Sequence, residues 1–180
     1  MTEMTLGASR ALRATGAMFF AVFGGIWLES WAIESARSLA TEALIALLAV
    51  ALAVAAYVIY KRHAVELASR PDTPRSRRAK RVFHTVNAMQ WVLIFIGANL
   101  LSRNGLSAWI VPMIILVVGL HFLPLAFVFS NRPHYVTGVA LILLGLAYPL
   151  VSPAGPADPI GLLGTGLILW LSASWALRRS

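Results

Sequence analysis

Six apolar runs, each long enough to cross a bilayer, leave almost no residues from which a water-soluble core could be built. They lie near residues 16–33, 41–60, 82–101, 108–128, 135–151 and 160–177 of a 180-residue chain. A helix needs about 20 apolar residues to cross the hydrocarbon of a membrane. With 59% hydrophobic and 12% charged residues, the composition suits lipid as solvent and not water. Strands of a transmembrane barrel would alternate in character over about ten residues, whereas residues 44–59 are continuously apolar. The expected fold is therefore all-α: a polytopic transmembrane helical bundle, a single integral membrane domain over residues 1–180.

The basic residues orient this bundle, because Lys and Arg near the ends of spans resist translocation. If the N-terminus is cytoplasmic, that side holds Arg10 and Arg13, the eight from Lys61 through Arg81, Arg132, Arg178 and Arg179. Only Arg37 and Arg103 fall on the other side. An even number of spans then returns the C-terminus to the cytoplasm. The net charge of +8 is thus read as a topology signal. Anionic lipid headgroups, above all at the basic connection 61–81, account for it without nucleic acid as a partner. A competing reading makes the first run a secretory signal, with Arg10 and Arg13 before it and Ser30-Trp31-Ala32 after it; retaining the run as a span completes the charge pattern. Thirteen Arg against two Lys, with abundant Ala, suggests a GC-rich bacterial genome and hence the bacterial inner membrane. The absence of Cys excludes disulfides and thiolate chemistry.

The connection 61–81 is the only long one, and Pro71 and Pro74 mark it as a helix break. The remaining connections are short, which predicts three consecutive antiparallel hairpins. Three segments, 17–24, 90–97 and 138–145, share a seven-residue spacing from a small or polar residue to a glycine. This is the pattern expected of a parallel repeat of hairpins.

A few polar groups inside the runs are the candidates for function. Glu29 continues a four-residue stripe of Ala17, Ala21 and Gly25, and small residues in that pattern admit a close neighbouring helix. It sits about 6 Å inside the outer boundary, either as a carboxylate reaching the interface or as part of a pathway. His84, Asn87 and Gln90 fall within about 120° of one another on the third run, and Asn99 lies near its outer end. His121 is the most interior titratable group. Pro124 behind it leaves the carbonyl of Leu120 unpaired and favours a kink, while Gly119 makes room for a neighbouring backbone or a ligand. His121 and Gln90 lie at similar depth, so His121 either pairs with Gln90 or Asn87 or forms a ligand or proton site. His84 is too shallow to share a haem with His121. No histidine pair has a metal-ligand spacing, and His63 and His134 lie in connections; no metal and no cofactor is expected.

The stretch Gly119-Leu120-His121-Phe122-Leu123-Pro124-Leu125-Ala126, with Asn131-Arg132-Pro133-His134-Tyr135-Val136-Thr137-Gly138, resembles segments of small bacterial six-span inner-membrane proteins. The resemblance covers about a tenth of the chain and carries no activity with it. The leading expectation is a small transporter or channel, homo-oligomeric or bound to another membrane protein, with an outer carboxylate at Glu29 and an inner polar site at His121, Gln90 and Asn87. The alternatives are a membrane-embedded enzyme or cofactor binder using His121, and a non-catalytic subunit of a membrane complex.

Overall fold

The computed structural model describes residues 3–69, 71, 73–129 and 131–179. Among them every regular element is helical: α1 (Glu3–Glu34), α2 (Leu39–Arg62), α3 (Ala64–Ala68), α4 (Pro74–Arg103), α5 (Ile110–Phe129), α6 (Arg132–Val151) and α7 (Ile160–Arg178). Single 3₁₀ turns at Ser107–Trp109 and Gly155–Ala157 precede α5 and α7. Six of the helices, all but α3, are long and apolar enough to cross a membrane. This is the architecture of a multi-pass membrane protein, in which each span bonds its own backbone groups.

Helices α1 and α4 begin well before the apolar runs they contain. In α1 the turns before residue 16 are helical, with Ala8, Ala11, Ala14, Ala17 and Ala21 buried along one side. Arg10 and Arg13 end the apolar run, but they do not interrupt intrahelical bonding or the alanine face. In α4 the helix starts at Pro74, inside the expected break. Proline there lacks an N–H that the first turn would leave unpaired anyway. Thr73 caps it: the Ser76 N–H donates to Thr73 Oγ1 at 3.1 Å, and the Thr73 N–H donates to Ser76 Oγ at 3.0 Å. Pro71 stays in the connection, while α5 continues unbroken through Pro124.

The chain forms two compact units, residues 1–71 with 166–180, and residues 72–165. In the first, α1 packs on α2 and α3, and the C-terminal part of α7 lies against α1. The closest approach is glycine on glycine. A Cβ built on Gly166 would lie 2.9 Å from the Gly24 carbonyl oxygen and 2.5 Å from Leu28 Cγ. Gly25 likewise faces Ala49, where a Cβ would lie 2.7 Å from the alanine methyl. Trp170 lies on Gly24, and its indole N–H donates to the Ala21 carbonyl at 3.0 Å. Trp170 thus joins α7 to α1 by a hydrogen bond as well as by contact.

In the second unit α5 packs on both α4 and α6. Here Gly119 meets Gly138: a Cβ on Gly119 would lie 3.0 Å from the Gly138 carbonyl oxygen and 2.9 Å from the Ile142 nitrogen. Ile115, Leu141 and Thr165 are fully buried. The loop before α7 is held by Asp158, whose carboxylate accepts from the Ile160 N–H at 3.0 Å and the Ala154 N–H at 3.4 Å. Tyr148 closes it by donating to the Pro156 carbonyl at 3.2 Å. The three glycines of the expected repeat have unlike partners. Gly24 meets Trp170 and Gly166, Gly97 meets Met113 of the following helix, and Gly145 meets Leu116 of the preceding one.

Filling a glycine crossing should destabilise the protein. Gly119→Ala and Gly166→Ala are each expected to cost about 1–3 kcal/mol, as overpacking does. Gly16→Ala, where a Cβ meets nothing within 4 Å, should instead gain up to about 1 kcal/mol of helix propensity. Unfolding midpoints of the three variants in one detergent check the order; equal midpoints would contradict the crossings.

Candidate functional site

The Gly119–Gly138 crossing positions the candidate site. With no side chain between the backbones, α5 and α6 approach closely enough for the residues flanking the crossing to converge. His121 follows Gly119 by two residues; His134 precedes Gly138 by four, one turn along α6. Between them stands Phe122, its ring centroid 5.4 Å from that of His121 and 5.8 Å from that of His134. Both histidines are half-buried. On the side of α4, His121 interacts with the backbone of Val86.

The imidazole of His121 is set apart by its hydrogen bonding. Several hydroxyl side chains in the spans bond the carbonyl four residues earlier on their own helix: Thr15 to Ala11 at 3.0 Å, Thr137 to Pro133 at 3.1 Å, and Thr165 to Gly161 at 2.7 Å. A hydroxyl on Cβ reaches back to that carbonyl; an imidazole nitrogen stands away from it. The buried Nδ1 of His121 has no hydrogen-bond partner among the described residues. A neutral imidazole presents one donor and one acceptor nitrogen, so this atom can bond a water, a small polar solute or a transferable proton.

The structure gathers only some of the residues proposed from sequence. Val86 adjoins Asn87, and Asn87 and Gln90 are half-buried on α4, yet no hydrogen bond joins either amide to His121 among the described residues. His84 is exposed and packs edge-on against Phe83 at 5.6 Å, and Phe83 in turn meets Phe129 at 6.4 Å. Asn99 is exposed and spends its amide on its own helix, donating to the Phe95 carbonyl at 2.8 Å. Glu29 belongs to the other unit, half-buried beyond the buried Ala17, Ala21 and Gly25. Among the described residues no three His, Cys, Asp or Glu side chains cluster as metal ligands would.

His134 is the residue that sequence reasoning missed. Hydropathy began the fifth run at Tyr135, leaving His134 in a connection. Arg132 and Pro133 instead form the first turn of α6, where proline is readily accepted, and this carries His134 onto the helix. The available signal was the facing pair of glycines, since a small residue on each of two consecutive helices marks a close crossing.

No family model, curated protein or solved structure matches the chain.

Replacing His121 by Phe keeps a planar ring and removes the unpaired nitrogen. Losing the interaction with the Val86 backbone costs about 0.5–1.5 kcal/mol and removing the unsatisfied nitrogen offsets it, so His121→Phe should unfold within about 1 kcal/mol of the native protein. Phe122→Ala, which empties the space between the two histidines, should cost about 2–4 kcal/mol. Denaturant titration in detergent micelles distinguishes these; a large loss for His121→Phe would show that Nδ1 is bonded after all.

Proposed function

We propose that the protein is a small transporter or channel for a small solute or ion, with its polar site around His121 and His134. The observation that carries this reading is the buried, unpartnered Nδ1 of His121 within a membrane-spanning helix. Leaving such a group unsatisfied costs about 1–3 kcal/mol, and ionisable groups inside spans usually mark a pathway or site. Glu29 serves as the carboxylate of the outer half, and Asn87 and Gln90 as amides near the inner site.

The charge pattern supports a cytoplasmic location for both termini, in a bacterial inner membrane. The contact order supports a hairpin of α5 and α6: Gly119 meets Ile142 while Leu116 meets Gly145. Residue numbers that rise on one helix as they fall on its neighbour describe antiparallel packing.

A second reading, a non-catalytic subunit of a membrane complex, rests on α4. None of its apolar span is buried, and Trp91 and Phe95 are 55% and 71% exposed. A face this polar at one end and aromatic along its length suits a protein neighbour as well as lipid.

Flux across liposomes separates the two readings. Under the transport reading, His121→Phe and His134→Phe should each reduce solute or proton flux at least tenfold, about 1.4 kcal/mol of barrier, and Glu29→Gln should reduce it less. If wild type and all three variants leak equally, the site has no transport role. Recovery of one membrane protein at fixed stoichiometry would then establish the subunit reading.

A further inference from the structure

The first turns of α4 carry Arg75, Arg77, Arg78, Lys80 and Arg81, and α4 contains no Asp or Glu along its length. Positive charge at a helix N-terminus opposes the helix dipole, and like charges one turn apart repel. Such a segment is stabilised by an anion supplied from outside the helix. The structure provides a place for one. A groove of about 360 Å³ is lined by Arg78, Arg81, Val82, Thr85 and Val86. These positions recur at three- and four-residue steps, so they form one face of α4. Its rim is formed by the exposed Arg78, Arg81 and Thr85, and its surface is mostly apolar. Its floor is the two valines, of which Val86 is also the residue whose backbone His121 meets.

The depth of this groove identifies the occupant. From Arg81 to Arg103, the next charge on α4, is 22 residues, about 33 Å of helix. That matches the roughly 30 Å hydrocarbon thickness, which places Arg81 at the headgroup boundary and Arg78 one turn outside it. We infer that the groove binds an anionic phospholipid, its phosphate held by Arg78 and Arg81, its glycerol oxygens by Thr85, and one acyl chain running over Val82 and Val86. Arginine suits the phosphate because its planar fork makes paired hydrogen bonds to the oxygens. A soluble phosphate would use the arginines and leave the valines unused. The inference narrows the general attraction of the 61–81 segment for anionic lipid to one site, and it needs only that α4 crosses a membrane.

The test is lipid retention by the full-length protein, extracted from nanodiscs of mixed phosphatidylglycerol and phosphatidylcholine and examined by native mass spectrometry. Unmodified protein should keep phosphatidylglycerol in preference to phosphatidylcholine. The double variant R78Q/R81Q should lose it by roughly thirtyfold, each charge near the surface contributing about a factor of five. R78K/R81K should retain part of the preference, and R62Q, a neighbouring basic residue outside the groove, should retain all of it. Equal loss in R62Q would mean diffuse attraction and overturn the site. Displacement by millimolar inorganic phosphate would mean a soluble-anion site and overturn the lipid assignment. If R78Q/R81Q fails to fold, the unmodified protein still decides, since absence of any phosphatidylglycerol preference refutes the inference. Because no flux is measured, failure here is distinguishable from failure of the transport reading.

Discussion

Glycine facing glycine across two helices is the contact on which both units depend. In hydrocarbon an apolar side chain gains little by leaving lipid for protein, so helices associate through the closeness of their surfaces. Gly24 against Gly166 and Gly119 against Gly138 bring backbone carbonyls to within about 3 Å of where a Cβ would stand. At that separation dispersion contacts are dense. The first crossing seats Trp170 on α1 so that its indole finds the Ala21 carbonyl; the second brings together two histidines that the chain separates by thirteen residues.

Polar groups within the spans are treated in two ways. Several hydroxyl side chains, and the amide of Asn99, bond the preceding turn of their own helix, which hides their polarity from lipid and asks nothing of neighbouring helices. The imidazole of His121 has a different geometry: its nitrogens project beyond its own backbone, so satisfaction must come from another helix or from a ligand. Phe122 and the adjacent backbones enclose it without offering a bond to Nδ1. That difference makes His121 the natural centre of a functional reading, while Asn99, equally polar, is accounted for by the Phe95 carbonyl.

Much of the architecture was legible before any coordinates. Continuous apolar stretches such as residues 44–59 require helices, because lipid supplies no partner for an open backbone. The small-residue stripe of Ala17, Ala21 and Gly25 announced a close-packed face, and these residues are buried. Helix starts were less legible. Hydropathy responds to charge, whereas the start of α4 is decided by Thr73 and Ser76 bonding each other's backbone around Pro74. The candidate site was half legible. His121 stood out as a titratable group deep in an apolar run, but His134 looked like loop because the residues before it are polar. Gln90 and Asn87 were matched to His121 by depth, and depth says nothing about the rotation of α4 that sets which side chain faces α5.

The sequence by itself determined that this chain is helical and suited to a membrane, and where its spans lie. Those properties follow from hydrocarbon length and backbone bonding, which act residue by residue along the chain. Only the tertiary structure decided which glycines meet and that His134 joins His121 around Phe122. These depend on helix rotation and contact distance, which arise from many weak packing interactions between segments and leave no mark in any one segment read alone.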